Sequence, residues 1–109
     1  MTLKEIFSHL MHLEITETRT RNDEYIEVVF LNRDFNEWYG ALTSHLGLPR
    51  KAAGAKPTQS DQKITRNTGG IRANQTLFEK SFGDVSVIAK FWPWGDEIHT
   101  TLKMALLIH

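Results

Sequence analysis

Residues 85–108 read VSVIAKFWPWGDEIHTTLKMALLI, and this stretch decides the fold. Val85, Val87, Ala89 and Phe91 alternate with Ser86, Ile88, Lys90 and Trp92, so each set occupies one face of an extended strand. Pro93-Trp94-Gly95-Asp96 has the composition of a turn. Beyond it, Ile98, Thr100, Leu102, Met104, Leu106 and Ile108 alternate with His99, Thr101, Lys103, Ala105 and Leu107. A four-residue loop over 93–96 pairs Phe91 with Ile98, Ala89 with Thr100, Val87 with Leu102 and Val85 with Met104. Every such pair lies on one face, so turn length and apolar pattern predict the same antiparallel register.

Upstream, Gly83-Asp84 marks a tight hairpin turn and 71–82 reads as a further strand, which makes a three-strand meander. Residues 24–31 form a strand with apolar side chains on both faces (Tyr25, Ile26, Val28, Val29, Phe30, Leu31), which suits an interior position. Residues 14–21, with Thr16, Thr18 and Thr20 in alternation, read as a polar edge strand joined to it by a turn at Asn22-Asp23. Thr2 and Glu5 form a capping box, and Leu3, Ile6, Phe7, Leu10 and Leu13 share one face of a helix over 2–13. Asp34 and Glu37 open a second helix over 35–46, with Phe35, Trp38, Leu42 and Leu46 at helical spacing. Gly47 and Pro49 close it. The order α-β-β-α-loop-β-β-β predicts an α+β fold: a two-layer domain with an antiparallel sheet of about five strands and two helices on one face. A chain of 109 residues suits one domain spanning 1–109.

The zero net charge hides an asymmetry. Residues 49–72 carry Arg50, Lys51, Lys56, Lys63, Arg66 and Arg72 against the single acid Asp61, a local surplus of +5 that the remainder cancels. The segment is poor in large apolar residues, so a mobile basic loop is expected at about 49–70, a solvated tether before a clamp. The alternative is that these six cations bind an anionic ligand or nucleic acid. No phosphate loop is present, because Thr68-Gly69-Gly70 leads into a strand and no Gly-Lys-Ser/Thr follows; no Gly-x-Gly-x-x-Gly marks a dinucleotide.

There is no cysteine, which removes disulfides, thiolate metal sites and cysteine nucleophiles. Acids and histidines interrupt the apolar residues of 1–13, so no signal peptide is expected, and no apolar run reaches the roughly 18 residues of a membrane span. A soluble cytoplasmic protein without a cofactor is the expectation. His9 and His12 lie three apart near Glu5, but no third ligand completes a metal site. His45 flanks the apolar stripe of the second helix and is read as a boundary residue. His99 falls, in the register above, across from Lys90, with Asp96 and Glu97 nearby. His45 and His99 are the candidate catalytic residues, each lacking a fixed partner.

Leu77, Ile88, Trp92 and Leu107 point to the face without helices, with Trp94 at the adjoining turn. That predicts an exposed apolar patch suited to a subunit interface, hence a homodimer. The expected function is a non-catalytic binding or interaction module that self-associates. The alternatives are an anion- or nucleic-acid-binding protein using 50–72, and a small hydrolase or isomerase using His45 or His99.

Overall fold

A computed structural model describes residues 2–108. Its elements are α1 (Leu3–Ser8), β1 (Glu17–Arg21), β2 (Tyr25–Leu31), α2 (Phe35–Leu46), α3 (Gln59–Thr65), β3 (Thr76–Phe82), β4 (Val85–Pro93) and β5 (His99–Ile108). The five strands form one open antiparallel sheet in the order β1-β2-β5-β4-β3. This is the α+β fold expected from the pattern. The last strand sits at the centre and joins the β1–β2 hairpin to the β3–β4 hairpin. β2 is interior, as its two apolar faces require, and β1 is the polar edge.

The β4–β5 hairpin corrects the expected register. Phe91 lies opposite Leu102 instead of Ile98, and Val87 opposite Leu106 instead of Leu102. The loop is still four residues long, but it is 95–98, closed by a hydrogen bond from Trp94 N to His99 O at 2.9 Å. The physical cause is Asp96. Its Oδ1 accepts from the backbone N–H groups of Ile98 (2.9 Å) and His99 (3.0 Å), an Asx turn that centres the reversal beyond the proline. Pro93 then ends β4 with its ring nitrogen towards the side where β3 has already stopped, so its missing N–H breaks no ladder bond. Displacing each strand by two residues preserves every face, which is why the face assignments survive.

One face packs on α1 and α2. Ile26, Val28, Phe30, Phe78, Val87, Ala89, Phe91, Leu102 and Met104 meet Leu3, Ile6, Phe7 and Leu10 of the N-terminal segment and Trp38, Leu42 and Leu46 of α2. Phe30 stacks on Trp38 at 4.8 Å between ring centroids. The capping box of α1 is formed, with Thr2 Oγ1 accepting from Glu5 N and Glu5 accepting from Thr2 N. The helix stops at Ser8 rather than at 13. Single turns carry on to bury Leu10 and Leu13.

The second face is not open. The segment expected to be a loop contains α3, started by a Thr58–Asp61 capping box, and it crosses the sheet. Ile64 and Ile71 pack on Leu77, Ile88 and Ala105, with Tyr25 and Leu107 at the margin. Leu77 is 0% and Ile88 1% exposed. The apolar surface on which the expected self-association depends is thus closed by the chain's own segment. α3 escapes a periodicity reading because seven residues with Ile64 as the sole large apolar member show no stripe.

If this cover is integral to the fold, Ile88→Ala costs about 2–5 kcal/mol, the range for a fully buried aliphatic. Urea denaturation checks it. A loss below about 0.5 kcal/mol, the size of a surface substitution, would mean that the second face is open in solution.

Candidate functional site

The cations of 49–72 divide into two groups. Arg50 is spent internally: its Nε donates to Asp61 Oδ1 at 2.7 Å, its Nη1 to Glu79 Oε1 at 2.7 Å and its Nη2 to Ser60 Oγ. Burial pushes Asp61 upward, yet the Thr58 N–H and the Arg50 guanidinium outweigh it and hold the carboxyl below its usual range. Lys51 is 3% exposed, and its ammonium donates to the carbonyl oxygens of Ala52, Ala73 and Gln75 at 3.0, 2.9 and 2.6 Å. Burial lowers its pKa. These two residues hold the segment down and are not ligand contacts. Lys56, Lys63 and Arg66 are exposed. Arg72 reaches over Trp92.

Trp92 is the centre of a cationic cluster. Strand parity places Ile88, Lys90 and Trp92 on the second face of β4, and register sets Lys103 beside Lys90 and Thr101 beside Trp92. The Lys103 ammonium lies 4.2 Å from the indole centroid, the Lys90 ammonium 5.0 Å and the Arg72 guanidinium carbon 5.6 Å. Each gains from the ring's negative face. Lys90 is 1% exposed and donates to the carbonyls of Thr68 and Gly70, the latter at 2.6 Å. Gly69 has φ of +94°, and a Cβ there would stand 3.1 Å from Trp92 Cζ3, so glycine lets the backbone rest on the indole. Among the described residues, neither Lys103 nor Arg72 pairs with a carboxylate. Glu27, cross-strand from Lys103, instead accepts from Tyr25 Oη at 2.6 Å and faces Arg19 Nη1 at 3.6 Å.

A second aromatic unit adjoins the first. Trp94 folds back over the sheet, its Nε1 donating to Thr101 Oγ1 at 2.7 Å. Its ring lies 5.2 Å from the Arg19 guanidinium carbon and 4.7 Å from the His99 ring. His99 is therefore beside Trp94 and across from Leu31 of β2, not across from Lys90 as the expected register had it. Its Nδ1 is 2.6 Å from Asp96 Oδ2. The His99 ring and the Ile98 and His99 N–H groups hold the Asp96 carboxyl down to about 2. Trp92 and Trp94, both half-buried, thus flank Thr101 with Arg19 at one end and Arg72, Lys90 and Lys103 at the other.

Two further histidines meet elsewhere. His9 and His45 stack at 4.8 Å with ring planes 23° apart, beside an open cleft of about 450 Å³ that His12, Glu37 and Ser44 also line. Among the described residues no group of three His, Asp or Glu side chains is arranged to hold a metal ion. Nor is any helix long and apolar enough to cross a membrane. Sequence reading places His45 correctly as half-buried but misses its partner, because His9 at the C-cap of α1 and His45 on α2 are far apart in the chain and only the tertiary packing brings them together. It also misses Lys90, Lys103 and Arg19. The available signal is Lys90 itself, a lysine between Ile88 and Trp92 on one strand face.

Burial holds Lys90 down to about 8, with Lys103 adding to the effect and Glu27 opposing it. Between about pH 8 and the ordinary lysine value, the unfolded chain keeps a proton that the folded chain has released, so stability rises with pH. Lys51, also lowered, acts in the same sense. Tyr25, raised by burial and Glu27, opposes them only above the ordinary phenol value near 10. Urea titrations from about pH 7.5 to 9.5 should show stability gained by about 1 kcal/mol, and Lys90→Met should remove most of that slope. A flat profile in the parent protein would refute the charge state assigned to this buried amine.

No family model matches the chain, and neither a curated protein nor a solved structure matches it.

Proposed function

We propose that the protein binds single-stranded nucleic acid across the face formed by Trp92 and Trp94. The observation that carries this reading is the gathering of Lys103, Arg72 and Lys90 on one indole, with no carboxylate paired to Lys103 or Arg72 among the described residues. Like charges held together raise the energy of the free protein, and Lys103 is one of the causes that depress Lys90. An anion placed between Lys103 and Arg72 relieves that repulsion.

A small inorganic anion would use the cations and leave the rings idle. A phosphodiester strand uses both, since bases stack on arginine planes that the indoles support while phosphates meet ammonium groups. Arg19 over Trp94 and Arg72 over Trp92 supply two such arginine–aromatic units, and both arginines are exposed; Arg19, whose Nε donates to Glu17 Oε2 at 3.0 Å, offers its plane, while Arg72 offers plane and charge. Zero net charge makes this a local recognition rather than a bulk attraction. Of the six basic residues expected to form the footprint, Arg72 stays in the proposed site. Arg50 and Lys51 leave it, while Lys56, Lys63 and Arg66 add long-range attraction.

Fluorescence anisotropy with a labelled ten-nucleotide single strand tests the reading. Binding should weaken as salt rises, and Arg72→Gln with Lys103→Gln should lower affinity about tenfold and flatten the log–log salt slope by about 1.4. Trp92→Ala, which removes the ring on which Arg72 and Lys103 are gathered, should lower it by a similar factor. If the parent protein shows no saturable binding at low salt, or if the double variant binds as tightly, the reading fails.

A further inference from the structure

We infer that the Asp96–His99 pair is a general-base dyad that makes this face cleave RNA, an inference that rests on the single-strand reading above. Asp96 is fixed before it acts. One carboxylate oxygen accepts two backbone N–H groups of its own turn, and the other faces His99 Nδ1 at 2.6 Å. A carboxylate on Nδ1 keeps the proton there, leaves Nε2 as the basic nitrogen and stabilises the imidazolium once formed. Among the described residues, His99 Nε2 has no hydrogen-bond partner, and the ring is partly exposed with 26% of its side chain accessible.

Two further observations place this nitrogen on the binding face. The His99 ring packs against Trp94 at 4.7 Å, so a strand stacked over the Trp94–Arg19 unit passes His99. His99, Thr101 and Lys103 share one side of β5, which puts the His99 and Lys103 backbones roughly 13 Å apart along the strand. In the same hairpin Glu97 has φ of +62°, a left-handed conformation in a non-glycine residue of the kind that collects at working sites.

An oriented base without an adjoining protein nucleophile suits a substrate that brings its own, and the RNA 2′-hydroxyl is one. His99 Nε2 removes the proton from O2′, O2′ forms a bond to the neighbouring phosphorus, and the P–O5′ bond breaks. The electron pair leaves with O5′, which takes a proton from water, and the imidazolium returns its proton to solvent. The products are a 2′,3′-cyclic phosphate and a 5′-hydroxyl, with no oxidant, reductant or metal in the balance. His99 is the catalytic residue, and Asp96 positions it.

The test uses the full chain, a single-stranded RNA and the DNA of the same sequence, with binding and cleavage measured separately. The expected result is that both strands are bound and only the RNA is cut, leaving cyclic phosphate ends. His99→Ala should cut at least about 100-fold more slowly, and added imidazole should restore part of the rate, a rescue that a structural role would not show. Asp96→Asn keeps the turn acceptor and should lower kcat about tenfold with KM little changed. Bound but uncut RNA overturns the dyad and leaves the binding reading intact. Cleavage that survives His99→Ala overturns the dyad as well, and failure to bind either strand overturns both.

Discussion

Two buried ammonium groups tied to backbone carbonyls determine what this protein presents to its surroundings. Lys51, at the start of the crossing segment, takes the carbonyls of Ala52 beside it and of Ala73 and Gln75 just before β3, and Lys90 takes those of Thr68 and Gly70 near the segment's end. Removing an ammonium from water is costly, and only hydrogen bonds of this kind offset it. Two of these carbonyls, those of Ala52 and Ala73, also accept a backbone N–H, from Ala55 and Gly54, so Lys51 reinforces turns that are already closed. Each lysine therefore exchanges its own hydration for the anchoring of an irregular backbone. With both ends held, α3 lies where Ile64 and Ile71 can cover Leu77 and Ile88. The same ties lay Gly69 on Trp92, and without them the cationic cluster would have no fixed geometry.

This arrangement accounts for what was legible in the sequence. The capping box at Thr2, the span of α2, the Gly83-Asp84 turn and the two-faced β2 all follow from local chemistry or from short-period patterns, and the structure has each of them. Parity along 85–108 assigns the faces correctly and the partners incorrectly, because alternation cannot see a shift by an even number of residues. Only the turn can resolve that, and there the Asx turn at Asp96 outweighs the proline. The cover on the second face is illegible for another reason. Part of what holds it comes from lysines meeting carbonyls, and carbonyls belong to every residue, so no side-chain pattern announces them. A segment rich in Lys, Gly and Thr then looks solvated when part of its charge is internal.

The charge asymmetry changes meaning accordingly. Arg50 and Lys51, together with the single acid of the segment, serve the fold. The cations of the proposed site come from three parts of the chain: Arg19 from β1, Arg72 from the end of the crossing segment, and Lys103 from β5 beside the buried Lys90. A count along the sequence therefore overstates the segment and understates the sheet. Lys103 is the clearest case. Glu27 faces it across the strand, yet that carboxylate is occupied by Tyr25 and Arg19. Moving Glu27 to Lys103 would cost the hydroxyl bond and the Arg19 contact and gain one ion pair, so the carboxylate stays where it is. The free protein thus keeps its positive charge concentrated on Trp92, where an external anion gains most by arriving. As proposed, recognition at this face would draw on a repulsion the fold already carries, so the groups that would make it a site are the same ones that leave the isolated domain less stable than it could be.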